Sequence, residues 1–266
     1  MNDAAKGQVN KSAAEVYEDF FVPALFQQWA TRVADAARIK PGQRVLDVAC
    51  GTGTLTREIA ERVNMKGSVV GVDINDGMLE VARRKAPEIE WRQGSAESLP
   101  FEDDSFDAVV CQFALMFFTE RRAAIREMLR VLRPGGRLAV AVWDRMENTP
   151  GYAAVTELLQ RLFGDEAANA MRAPYNLGDE QRLSFEFVNA GVSDFEITTQ
   201  PGTARFTSIK DWMYTDVRGW TLADMINDVQ FYRLLGEAKL ALQEFVGADG
   251  KASFPAPAHI VRVTKS

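Results

Sequence analysis

The sequence predicts an α/β fold built on a doubly wound, mostly parallel sheet. Three observations carry that prediction. Short β-rich apolar runs recur at residues 44–49, 68–73, 89–92, 106–111 and 137–143, and segments with helical spacing separate them. The runs are apolar throughout rather than alternating, as expected of strands covered on both faces by crossover helices. Glycine- and proline-rich turns bound the segments, and each crossover is expected to be right-handed.

Taken in order, residues 1–12 read as a polar tail and 13–39 as helix with a break at Pro23, a residue suited to the first turn of a second helix. Phe26, Trp29, Val33 and Ala37 then make one apolar stripe. Lys40-Pro41-Gly42-Gln43 turns the chain into the first strand, which ends at a glycine loop before a helix over 54–64. After the second strand, Asn75 or Asp76 can cap a helix with Met78, Val81 and Ala82 inward, and Pro87 stops it. Thr119 can cap the helix carrying Ile125, Met128, Leu129 and Leu132, which Pro134-Gly135-Gly136 ends.

Beyond Trp143 the rhythm changes. Helices and loops fill 147–182, and a short helix follows at 184–190. Residues 195–206 read as a strand, or a bent pair about Pro201-Gly202. Ser208 and Asp211 open another helix, 228–246 form a long one, and 259–263 a final strand. The expected organisation is an N-terminal helical cover (1–40), a nucleotide-type core (41–143), and a remainder (144–266). That remainder completes the sheet through about 184–206 and 252–264 and adds helical insertions at about 147–182 and 207–250.

The 266 residues carry 31 basic and 37 acidic side chains, a net charge of −6, which argues against nucleic acid as a partner. Arg121, Arg122, Arg126, Arg130 and Arg133 alternate with Glu120 and Glu127, as on a solvated face. No apolar run approaches a membrane span and the start lacks the apolar core of a signal peptide. Two cysteines, Cys50 and Cys111, fit a reducing compartment, so a cytoplasmic protein is expected; with a single histidine they are too few for a zinc site, and none is expected. The number of copies in the assembly stays open, a homodimer included.

The chemistry concentrates in Asp47-Val-Ala-Cys-Gly51-Thr-Gly53-Thr, between strand and helix. Glycines let a ligand lie against the backbone, and a helix N-terminus offers free N–H groups. Asp47 would repel a pyrophosphate but suits a cationic amine. Thr56 stands where a dinucleotide fold wants its third glycine. Asp73 ends the second strand, where an acidic residue can accept from ribose hydroxyls. Together they describe a nucleoside with a positively charged amino-acid tail, and they disfavour a nicotinamide cofactor.

VLDVACGTG, VVGVDINDGMLEVAR, GSAESLPFEDDSFDAVV and MLRVLRPGGRLAVAVW, in this order over 41–143, resemble the successive motifs of class I S-adenosylmethionine-dependent methyltransferases, in particular the ubiquinone/menaquinone-biosynthesis-like subgroup. The resemblance implies a Rossmann-like methyltransferase fold of seven strands with the last antiparallel, and helical insertions forming a lid. It implies that S-adenosylmethionine is the cofactor and S-adenosylhomocysteine the product. Asp47, Ala49, Gly51, Thr52 and Gly53 would hold the methionine part, Asp73 the ribose, and Ile74 and Met78 the adenine side. Ser95 replaces the family's usual Asp, so adenine recognition would pass to Ala96 or Glu97. Cys111, Gln112 and Phe113 would border the transferred methyl. For catalysis, His259 is a candidate base at the start of an antiparallel last strand, against the alternative of a buried structural histidine. Tyr17 is a candidate cover over the cofactor. Trp29, Phe117, Trp143 and Trp212 are candidates for an acceptor pocket or for core. The expected reaction is in-line methyl transfer to an apolar or aromatic small molecule; the alternative is a cofactor-binding protein with other chemistry or none.

Overall fold

The computed structural model describes residues 11–219 and 221–266, so the predicted tail over 1–10 and Trp220, an aromatic of the second insertion, lie outside the described residues. The chain opens as one helical rod: α1 (Lys11–Val16), a π-helical stretch (Tyr17–Phe26) and α2 (Gln27–Ala36). Pro23 was expected to break this rod, yet it lies inside the π-helical stretch. The wider π turn accommodates a residue that has no N–H to give and whose ring crowds the preceding turn. Buried Glu18 ties the rod to the core by pairing with Arg57 at 2.9 Å and Lys85 at 3.2 Å.

Strands and helices then alternate: β1 (Arg44–Val48), α3 (Thr54–Val63), β2 (Ser68–Asp73), α4 (Asp76–Lys85), β3 (Glu90–Gln93), β4 (Phe106–Gln112), α5 (Arg121–Val131) and β5 (Leu132–Trp143). Asn75 caps α4 by accepting from the Met78 N–H at 3.1 Å. Glu120, not Thr119, precedes α5, and its side chain makes no cap bond. The strand also begins earlier than Pro134-Gly135-Gly136 suggested. Gly135 N–H donates to Lys265 O at 2.7 Å and Gly136 O accepts from Lys265 N–H, so this segment stays extended by pairing with the end of the chain.

The second half supplies α6 (Pro150–Phe163), α7 (Asp165–Arg172), α8 (Glu180–Asn189), β6 (Phe195–Gln200), β7 (Thr203–Phe206), α9 (Ile209–Arg218), α10 (Asp228–Ala241), β8 (Ala252–Pro255) and β9 (Ala258–Thr264). The main sheet has seven strands in the order β3-β2-β1-β4-β5-β9-β6. β9 alone runs against its neighbours β5 and β6, as expected of the last strand. One boundary needs correcting. Only β6 and β9 complete this sheet; β7 and β8 pair with each other in a separate two-stranded sheet beneath the helical insertions. Pro201 and Gly202 divide β6 from β7 and so decide for the bent pair.

Strand order reverses direction at β1, which lies between β2 and β4; such switch points are where α/β sheets place ligands, outside the carboxyl ends of the strands. Asp47 sits there in register with Gly71 of β2 and Val110 of β4.

Candidate active site

The chain leaves β1 through a tight loop in which Ala49, Gly51 and Gly53 all hold positive φ (56°, 56° and 84°). A strained non-glycine residue there marks a loop shaped for something other than its own stability. Above it lies a cavity of about 340 Å³, within the range of small-molecule and cofactor sites.

Asp47 points into this cavity while only 1% exposed. Its Oδ2 accepts from Thr56 Oγ1 at 2.6 Å, whereas its Oδ1 is buried with no hydrogen-bond partner. Burial pushes its pKa up to about 7; the Thr56 hydrogen bonds work against that rise and the Asp73 charge adds to it. Thr56, which stands where a dinucleotide fold has glycine, is thus the group that holds this carboxylate. Asp73 is held from both sides: Gly51 N–H donates to Oδ2 and Asn75 N–H to Oδ1, each at 2.8 Å. Burial raises this carboxyl too, but the backbone N–H groups of Asn75, Gly51 and Ile74 oppose it. Thr52 Oγ1 and Gln112 Oε1 are also buried without partners.

Buried polar atoms left unpaired are uncommon in folded proteins, and each calls for a ligand or another specific reason. Here three of them, on Asp47, Thr52 and Gln112, line one acidic cavity. That set fits the cationic amino-acid tail of S-adenosylmethionine, and Asp73 keeps carboxylate lone pairs for hydroxyl donors. A pyrophosphate would meet two carboxylates instead.

The structure brings most of the expected site residues to this cavity. Ala49, Gly51, Thr52, Ile74, Met78, Ser95, Ala96, Glu97, Gln112, Phe113, Phe117 and Tyr17 line it with the two aspartates. Glu97 is partly committed, since its Oε1 accepts from Glu120 N–H at 2.9 Å. Burial keeps the Tyr17 hydroxyl protonated, with Glu18 and Asp73 adding to the effect, so it can donate but not act as a base at neutral pH. Phe26, Cys50, Asn75, Phe118 and Thr119 line the cavity as well. Phe26 had been absorbed into the helical stripe as core, Phe118 is the pocket wall that the sequence left open between wall and core, and Thr119, read only as a helix cap, could have been found from its place just after β4.

Six expected residues lie elsewhere. Cys111 is fully buried, because successive side chains of a strand alternate faces and Gln112 takes the cavity side. Gly53 serves packing: a Cβ there would meet the Trp91 ring at 2.3 Å. Trp29 is core, edge-on to Phe113 and Trp143. Trp143 is separated from the cavity by Phe113, stacked on it at 3.7 Å. Trp212 is the centre of an aromatic cluster with Phe206, Phe254 and Phe245 inside the helical insertions. His259 does not reach the cavity. Its Nδ1 meets Thr199 Oγ1 at 2.9 Å, and its Nε2 lies 2.9 Å from Gly178 O and 3.1 Å from Asp144 Oδ1. With both ring nitrogens engaged, it ties β9 to the loop before α8 and has the geometry of the structural alternative. His259→Ala is therefore expected to lower thermal stability, by roughly 1–3 kcal/mol for unpaired buried groups. Cofactor affinity should be unchanged, as calorimetry on the folded variant would show.

Comparison with known proteins bears on this site. A model of the methyltransferase domain matches residues 45–136. The demethylmenaquinone methyltransferase of Renibacterium salmoninarum is 44% identical over 135 residues, 51% of this chain and 56% of that protein. The ubiquinone/menaquinone biosynthesis C-methyltransferase of Pseudomonas putida F1 is 38% identical over 200 residues, 68% of this chain and 78% of the relative. In several other relatives of this kind the chain spans only 55–64% of their length. Among solved structures, a phosphoethanolamine N-methyltransferase from Haemonchus contortus, in complex with S-adenosyl-L-methionine, shares the fold. Its TM-score is 0.62 at 19% identity, over 97% of this chain and 58% of that one. The fold and the motifs of the acidic glycine-loop site place the chain among the class I S-adenosylmethionine-dependent methyltransferases. Within that class, the chain belongs to the family of the ubiquinone/menaquinone biosynthesis C-methyltransferases.

Proposed function

We propose that this chain transfers the methyl group of S-adenosylmethionine to a ring carbon of a small, reduced quinone-type acceptor, in the cytoplasm. The observation that carries the reading is the buried, half-unpaired Asp47 carboxylate at the head of the glycine loop. The relatives' names supply the acceptor class. The acidic sequence supports a small-molecule partner over nucleic acid, and among the described residues no helix is long and apolar enough to cross a membrane.

When bound, the cofactor supplies a methyl group already activated by its sulfonium. The chain's part is to bind, orient and exclude water. Asp47, Thr52 and Gln112 would hold the amino-acid tail and Asp73 the ribose. Phe26, Phe113 and Phe117 give the cavity apolar walls against which a flat acceptor can lie, and Tyr17 covers it from the N-terminal rod. Alignment of this kind can supply roughly 7–11 kcal/mol of the barrier. The reading is tested by incubating the protein with labelled S-adenosylmethionine and 1,4-dihydroxynaphthalene under reducing conditions. Label on a ring carbon of the extracted product is expected. Label on oxygen, or none despite cofactor binding, would contradict it.

A further inference from the structure

The rod that covers the cavity is wound in an unusual way. From Tyr17 to Phe26 it is a π-helix of 10 residues, and Gln27 N–H closes it by donating to Val22 O, five residues back. Such turns are rare, occur mostly singly and concentrate at functional sites. The winding decides which side chains share a face. Phe26 stands nine residues after Tyr17. That span is about two and a half turns of an α-helix, which would put the two rings on opposite faces. In the wider π winding it is about two turns, which puts them on the same face. The rings are accordingly stacked, with centroids 5.0 Å apart, and both line the cofactor cavity.

Phe26 also meets Phe113, with centroids 5.7 Å apart, so Tyr17, Phe26 and Phe113 make one continuous aromatic wall to the cavity. The stretch is anchored at both ends. At its end, Phe26 touches Trp143 at 5.8 Å and the chain runs on into α2. At its start, Tyr17 packs against Ala14, Met78 and Val81, and Glu18 pairs with Arg57 and Lys85. Between the anchors lies Pro23, which is exposed. An exposed ring adds little packing, so the influence of Pro23 runs through the backbone. In an α-helix its ring would crowd the carbonyl of Asp19, four residues back, and its missing N–H would leave that carbonyl without a bond.

We propose that Pro23 is a positioning residue: by excluding α winding it holds the π register that sets Tyr17 and Phe26 side by side over the cofactor. The inference rests on the methyl-transfer reading for what the cavity binds, and adds a residue outside the cavity that sets the shape of its wall. Without Pro23 the stretch tightens towards the ordinary α winding. Phe26 stays in the core, so Tyr17 turns away from the cavity. The anchors keep a fraction of the chains in the π register. A ligand that needs the complete wall binds that fraction, and its apparent affinity falls accordingly.

The test compares the full native chain with Pro23→Ala, a change that favours helix and should melt no lower. With tyrosine and phenylalanine rings isotopically labelled, NMR should show a nuclear Overhauser contact between Tyr17 and Phe26 in the native chain. The variant should lose most of it. Calorimetric titration with S-adenosylhomocysteine should give roughly five- to tenfold weaker binding for Pro23→Ala, as expected if about one chain in ten keeps the π register. Tyr17→Leu should weaken binding roughly tenfold in the native chain and about twofold or less in the Pro23→Ala background, where the ring is already displaced. An unchanged Tyr17–Phe26 contact in Pro23→Ala would overturn the inference. So would native affinity in a variant that has lost the contact, or losses that simply multiply in the double variant. Failure of the native chain to bind S-adenosylhomocysteine would instead strike the methyl-transfer reading, and the ring contact would still decide whether Pro23 sets the register.

Discussion

Asp47→Asn is expected to weaken S-adenosylmethionine binding while making the ligand-free chain more stable. Both effects come from one group. The Asp47 carboxyl titrates near pH 7 in the folded chain, raised by burial against the lowering Thr56 hydrogen bonds. In the unfolded chain it titrates near an ordinary value of about 3.9. Its folded pKa is the higher one, so folding is favoured below about pH 4, and that advantage is lost as pH rises to about 7. Asparagine has no charge to bury and escapes the loss, so the variant should melt higher than native protein at pH 8. Ligand binding reverses the balance, because a cationic tail needs the carboxylate. Losing one partner of a buried charge pair costs about 2–5 kcal/mol, a fall in affinity of roughly 30-fold or more. Native affinity should also drop about tenfold per unit as pH is lowered below 7, while the variant stays flat. Titration calorimetry at pH 6, 7 and 8 measures both. A variant with native affinity at pH 8 would remove Asp47 from the site.

Gly53→Ala is the second large effect, and it acts through packing. Gly53 has φ 84°, and an added Cβ would lie 2.3 Å from Cη2 of Trp91. The left-handed conformation costs alanine about 1 kcal/mol and overpacking a further 1–3 kcal/mol. Chemical denaturation should show a total loss of about 2–4 kcal/mol. Because the loop also presents Thr52 and Gly51, cofactor affinity should fall as well. Adding Trp91→Leu removes the ring, so most of the packing loss should disappear in the double variant, a coupling of roughly 1–3 kcal/mol. Losses that simply add would show that Trp91 does not set the need for glycine.

The sheet and its ligand edge were legible because the information is local. The continuous apolar strands, the glycine loop between β1 and α3, and the acid at the end of β2 are each written in a few consecutive residues. Asp47, Asp73 and Gln112 could therefore be placed without coordinates. What resisted reading depends on partners far along the chain. His259 looked available at the start of an antiparallel strand, but Gly178, Thr199 and Asp144 take up its ring. Trp212 looked like pocket wall, but Phe206 and Phe254 come from a small sheet that joins segments almost fifty residues apart. Asp216 carried no motif and was passed over; only packing by α6 and α9 buries it beside Tyr152 and Trp212. Pro23 misled for the opposite reason, since its local rule was sound and a π turn accommodates it.

The central claim is that the acidic cavity above Gly51 receives an adenosyl ligand with a cationic tail. Thermal unfolding at pH 8 with S-adenosylmethionine, S-adenosylhomocysteine or NAD tests it most directly. At about 100 times Kd a ligand stabilises by roughly 2.7 kcal/mol. The account predicts a rise in Tm with the two adenosyl ligands, none with NAD, and loss of the rise in Asp47→Asn. A rise with NAD, or an equal rise in native protein and Asp47→Asn, would contradict it.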